Sequence, residues 1–177
     1  MNHNLRLRAP SGPGTDTESS NLVKVVVDGI QSTHPAFGDV TEEALWARRL
    51  HDGSFQIDNI PFFKRGLSYG DVVNVRPGND DVLHVGDVIG RSGHSTYRVA
   101  VQAPLKDRQH ADYHELLSTL KYLGVNVESA TPTFFAVDVP PTTPAQAVYD
   151  VLELGLEYGI WDFDEGYAAP SPDDHKP

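Results

Sequence analysis

From Leu22 to Ile89 the apolar residues come in short runs, each stopped by glycine, proline or an Asp-Gly pair. This punctuation is the tightest constraint on the fold. Runs of this length suit β-strands, and turn signals this close together make successive strands neighbours. Leu22 to Val27 reads as a strand closed by a turn at Asp28-Gly29. Ile30 to Val40, with His34-Pro35 and Phe37-Gly38-Asp39, reads as a loop. The run EEALWARRL alone would pass for a helix, but Asp52-Gly53 behind it is the favoured two-residue hairpin turn. Phe55, Ile57 and Asn59 then alternate with Gln56 and Asp58, so the whole stretch is expected to be extended. Gly70-Asp71 opens the strand DVVNVRP, Pro77-Gly78-Asn79-Asp80 turns it, and Val82 to Ile89 answers as its partner. The expectation is a meander that curls into a small β-barrel over residues 22–91.

The pattern changes at Thr96. TYRVAVQ is a strand, and Arg108 to Leu123 places Leu116, Leu117, Leu120 and Leu123 at helical spacing, ending at Gly124 where a capping glycine belongs. Val125 to Val127 and Thr133 to Val139 are strands. Thr143-Pro144-Ala145-Gln146 reads as a capping box with proline in the first turn, followed by a stripe of Ala147, Val151, Leu154 and Tyr158. The segment IWDFDE, Ile160 to Glu165, closes the series with Trp161 and Phe163 on one face. The order β-α-β-β-α-β over residues 92–168 predicts a ferredoxin-like module, and the chain as a whole an α+β protein.

Residues 1–21 and 169–177 are rich in Ser, Thr, Gly, Pro and Asn and lack apolar periodicity, so both are expected to be disordered tails. The opening MNHNLRLR is basic but no apolar run follows, which speaks against a secretory signal, and no stretch is long and apolar enough for a membrane span. There is no cysteine, which excludes disulfides, thiolate metal sites and cysteine nucleophiles, and a cytoplasmic protein is the plain expectation. The formal net charge of −11 argues against nucleic acid as a partner, because phosphate contacts need clustered positive charge. Acidity serves solubility, and it would equally suit docking onto a basic protein.

The stretch RSGHSTYRV gathers the chemistry. Ser92, Gly93, His94, Ser95 and Thr96 offer an imidazole, hydroxyls and open backbone amides, with Arg91 and Arg98 as fixed positive charge. Such a group could hold a small anionic ligand while His94 moves a proton. Strand alternation puts His94, Thr96 and Arg98 on one face and Ser95, Tyr97 and Val99 on the other, so His94 and Ser95 make a poor nucleophile pair. No G-x-S-x-G elbow occurs. Asp71 becomes the orienting carboxylate if it converges on His94. The plainer alternative is a polar turn rich in small residues.

Elsewhere the structural readings are the simpler ones. His110 and His114 share a helical face, but Ser118 and Lys121 continue it as the solvent side, and HADYH lacks the glutamate of the zinc-protease motif, so no metal is expected. SGPGTD follows no strand and is no phosphate loop, and no cofactor is implied. Asp162, Asp164 and Glu165 are the side chains with which the closing strand would meet a basic partner.

Leu45-Trp46-Ala47, Asn59-Ile60-Pro61-Phe62-Phe63, Gly70-Asp71 and Ser92-Gly93-His94-Ser95 are distinctive in combination. On these residues the chain, from roughly Leu22 to Tyr167, resembles a family of uncharacterised bacterial proteins grouped as a domain of unknown function. The resemblance implies that SGHS is part of the family's pattern and brings with it no reaction, ligand or partner. The residues therefore frame two expectations. The first is a non-catalytic accessory, regulatory or immunity-type protein that docks onto a basic protein partner. The alternative is a small enzyme acting on an anionic metabolite, with His94 as acid/base and Arg91 and Arg98 binding the anion.

Overall fold

The computed structural model describes residues 21–34, 37–78 and 82–170. Of the expected tails at 1–21 and 169–177, residues 1–20 and 171–177 lie outside the described residues. The chain divides into two compact units, one up to Ser92 and one from Gly93.

The first unit is a closed barrel of β1 (Leu22–His34), β2 (Gly38–Arg49), β3 (Phe55–Ile57), β4 (Val72–Pro77) and β5 (Leu83–Gly90), in that order. Consecutive strands pair antiparallel, as the close turn signals require. The barrel is closed by a parallel seam in which Val25 faces Leu83 and Val26 faces His84. Val25, Val27, Leu45, Ala47, Phe55, Ile57, Leu67 and Val73 fill the interior. On the order of 1.5–3 kcal/mol per fully buried aliphatic side chain favours this closure.

Two readings of this half are corrected. Within the expected loop Ile30 to Val40, residues 30–34 and 38–40 are strand: β1 and β2 run on as a ladder, with Ser32 opposite Val40 and Thr33 opposite Asp39, and residues 35–36 lie outside the described residues. Asp28-Gly29 marks a bulge and not the end of the strand. Gly29, at φ 70°, lets the chain absorb the register shift and continue. Nor is Asp52-Gly53 a two-residue turn. Gly53 N donates to Leu50 O (3.2 Å) and Leu50 N to Ser54 O (2.9 Å), which makes a three-residue loop with Gly53 at φ 88°. The Ser54 hydroxyl (2.6 Å) and amide (3.0 Å) bind the Asp52 carboxyl and hold it below its usual range.

The second unit comprises β6 (Ser95–Val101), α1 (Asp107–Tyr122), β7 (Asn126–Thr131), β8 (Phe134–Val139), α2 (Ala145–Glu157) and β9 (Trp161–Tyr167). Its sheet has the order β7-β8-β6-β9 with every ladder antiparallel. Both helices pack on one face. Leu116 and Leu120 of α1 and Val148 and Leu152 of α2 share a core with Tyr97, Val99, Phe135, Val137, Val139 and Trp161. Gln109 ties the helices end to end: its Oε1 accepts from Lys106 N (2.9 Å), and its Nε2 donates to the carbonyls of Tyr158 and Gly159.

The start and the buried stripe of α2 both depart from expectation. Its cap is Pro144, without a side-chain capping bond, while Thr143 N closes a turn onto Pro140 O (2.9 Å). The buried face is Val148, Leu152 and Gly155, one step round from the expected stripe. Gly155 decides the rotation. A Cβ there would stand 2.0 Å from the Trp161 ring, so only glycine admits the indole, whose Nε1 donates to Leu152 O (2.9 Å). No helix among the described residues is long and apolar enough to cross a membrane.

Candidate functional site

A 14-residue connection from Asp58 to Asp71 joins β3 to β4, and most of it is buried. Buried loops need partners for their backbone groups, and three polar side chains supply them here. Glu43, itself buried on β2, accepts from the amides of Phe62 (2.6 Å), Phe63 (3.1 Å) and Lys64 (3.1 Å). Asn59 Oδ1 accepts from Trp46 N (2.7 Å). Asp71 is fully buried at the end of the connection and accepts from Ser68 N (3.1 Å), Ser92 N (2.9 Å), Ser92 Oγ (3.1 Å) and Arg91 Nη1 (2.8 Å). Arg91 also donates to Gly66 O (2.8 Å), and Ser92 Oγ to Tyr69 O (2.7 Å). Arg91, Ser92 and Asp71 thus form one cluster that fastens the last residues of the first unit to this connection.

His94 belongs to the second unit and takes a different carboxylate. Gly93 precedes it at φ 81°, a conformation that favours glycine, with Pro141 packed where a Cβ would point (3.3 Å). The Nδ1 of His94 lies 2.7 Å from Asp138 Oδ1 on β8. The other oxygen of Asp138 accepts from Asn126 Nδ2 on β7 (3.0 Å). Asn126, Asp138 and Thr96 stand side by side across β7, β8 and β6, and Asp138 and Thr96 are fully buried. A buried carboxylate needs donors on both oxygens, and this one has an amide and an imidazole. With Nδ1 committed to Asp138, any proton transfer by the ring falls to Nε2.

One ladder step along the same face, Ala136, Arg98 and Asp164 line up across β8, β6 and β9. The buried Arg98 makes a two-pronged pair with Asp164, Nε to Oδ1 at 2.5 Å and Nη2 to Oδ2 at 2.6 Å. Asp162 accepts from Gln102 Nε2 (2.6 Å). Glu165 is exposed but stands opposite Tyr97, off the Asp162–Asp164 face. Burial pushes the Tyr97 hydroxyl pKa up, and the charge of Glu165 adds to the effect. Ser95 Oγ, on the other face from His94, accepts from Ala169 N (2.9 Å). His110 and His114 are both exposed on α1. Among the described residues no group of three or more His, Asp or Glu is placed to hold a metal ion.

The structure therefore divides RSGHSTYRV into three clusters: Arg91 and Ser92 on Asp71, His94 on Asp138 and Asn126, and Arg98 on Asp164. Sequence reasoning missed Asp138, Asn126 and Glu43. The signal for Asp138 was a single carboxylate inside FFAVDV, an otherwise apolar strand.

No curated protein matches the chain. A solved crystal structure of a hypothetical protein from Neisseria gonorrhoeae is similar to it, with a TM-score of 0.67 and 21% identity, covering 84% of this chain and 98% of that one. At that identity the likeness is one of fold. The family model for DUF4265, a domain of unknown function, matches residues 43–163. That span starts at Glu43, which holds the buried connection, and takes in the Asp71 cluster and the His94–Asp138 pair; the chain belongs to this DUF4265 family.

Proposed function

We propose that the protein is a non-catalytic accessory protein, of a regulatory or immunity type, that docks onto a basic protein partner. One observation carries the reading. Residues 93–170 contain four basic residues (Arg98, Lys106, Arg108, Lys121) against eleven Asp and Glu. One of those four, Arg98, is already held by Asp164. A surface of one sign steers a partner of the other and raises its rate of encounter. The arginines of RSGHSTYRV fit the reading as well, since both the Asp71 and the Asp164 carboxylates offset them locally. We further infer that the second unit is ferredoxin-like: the order β-α-β-β-α-β with sheet order β7-β8-β6-β9 supports it. A cytoplasmic location accords with the lack of cysteine. The test is to mix the full chain with purified basic proteins encoded by neighbouring genes and follow co-elution in gel filtration. Co-elution with one of them at low salt, lost at high salt, is the expected result. No complex with any of them counts against the reading.

A second reading, a small enzyme acting on an anionic metabolite, is favoured by the 2.7 Å contact of His94 with Asp138. In it Asp138 takes the orienting role first considered for Asp71, and His94 is the acid/base. Screening anionic metabolites against the native chain and His94→Gln tests it: turnover that disappears in the variant supports the enzyme, and turnover indifferent to His94 sinks it.

A further inference from the structure

We propose that the outer face of α2 is the docking surface, and that its occupant is a basic amphipathic helix presented by a protein partner; this rests on the accessory-protein reading above. Helix α2 carries Asp150, Glu153 and Glu157 and no basic residue, and all three acids are exposed. At 100° per residue they fall within a sector of about 60°, directly opposite the buried Val148, Leu152 and Gly155. Asp150 is held in place by Gln146 Nε2 (2.8 Å). Five large apolar side chains are exposed among the described residues, and three of them belong to this helix and its cap: Leu154 at 40%, Leu156 at 47% and Tyr158 at 51%. Leu154 and Tyr158, four apart, border one side of the acidic stripe, and Leu156 borders the other. The helix has more apolar residues than its buried face uses.

An acidic stripe between apolar borders selects its occupant by charge. A second copy of the chain, at a net −11, would bring like charges together. Nucleic acid and anionic lipid are repelled for the same reason. A helix with lysine or arginine along its centre and leucine-like side chains on the flanks satisfies both parts of the surface, by ion pairing and by apolar burial.

The probe is a synthetic leucine–lysine peptide that carries lysines along the centre of one helical face and leucines on both flanks of it, with a scrambled peptide of the same composition as control. Both are titrated into isotopically labelled full-length protein and followed by amide shifts. The patterned peptide is expected to move Asp150, Glu153, Leu154, Leu156 and Glu157, and to bind on the order of tenfold tighter than the scrambled one. Reversing the stripe (D150K, E153K and E157K together) is expected to weaken binding on the order of tenfold or more, as loss of three exposed pairs implies. Reversing β9 instead (D162K with E165K) is expected to leave it within about twofold. These substitutions lie on exposed positions, and unchanged melting curves confirm folding. Binding that follows β9 overturns the α2 assignment and leaves the accessory-protein reading standing. Equal binding of both peptides, or of neither, overturns the α2 proposal, while the gel-filtration test judges the accessory reading separately.

Discussion

Three successive amides, those of Phe62, Phe63 and Lys64, converge on the carboxylate of Glu43. Removing it leaves buried donors without acceptors, at about 1–3 kcal/mol each before relaxation. Glu43→Ala is therefore expected to lower stability by about 3–5 kcal/mol in urea unfolding, and Glu43→Gln by less, since one oxygen remains. A loss under 1 kcal/mol would show that the connection does not depend on this anchor. At His94 the expected effect is on the ring and not the fold: Asp138→Asn removes the charge that fixes the proton on Nδ1, so imidazole nitrogen shifts should report a changed tautomer balance. Tyr97 gives a pH prediction. Its raised pKa keeps the folded protein protonated where the unfolded chain already ionises, near the ordinary value of 10.0, so stability falls as pH rises above that value. Tyr97→Phe should remove that alkaline component of the melting curve, and an identical alkaline slope in the variant would refute it. Of these residues, the sequence made His94 and its face-mates Thr96 and Arg98 legible through the period of two. It could not pair His94 with Asp138, because the contact spans 44 positions and arises only when β6 meets β8.

Among the elements, α2 is the most instructive. Two apolar stripes compete along it, and counting large side chains favours Ala147, Val151, Leu154 and Tyr158. The structure buries Val148, Leu152 and Gly155 because the Trp161 indole needs the space a missing Cβ leaves. Gly155→Ala is expected to destabilise by about 2–4 kcal/mol, through overpacking and loss of the Trp161–Leu152 hydrogen bond. Calorimetric melting decides it; a neutral or stabilising effect, as helix propensity alone would give, contradicts the packing argument. Asp28-Gly29 carries the same lesson. A positive-φ glycine serves a turn or a bulge equally well, and only the pairing of Ser32 with Val40 beyond it tells which. The alternation of Phe55 and Ile57, the strand-helix order of the second half and the capping Gly124 were legible because each is local. Register and bulges depend on the partner strand.

For the whole molecule, the turn punctuation was enough to foresee a small β-barrel, and apolar spacing a second part with two helices; that the barrel is closed and five-stranded is seen only in the structure. Several residues of the motif pattern read from the sequence have structural partners here. Asn59 and Asp71 tie down a buried connection, with Glu43 beside them, and Gly93 turns the chain into β6. What distinguishes the second unit is its charge, and charge is the property a docking account uses. The most direct measurement is titration calorimetry of the full chain with the basic proteins encoded beside it, at several salt concentrations. The account predicts one partner whose affinity weakens steeply as salt rises and the Debye length shrinks from about 30 Å at 0.01 M to about 8 Å at 0.15 M. Affinity for every such protein that is absent at low salt, or present and unmoved by salt, would contradict it.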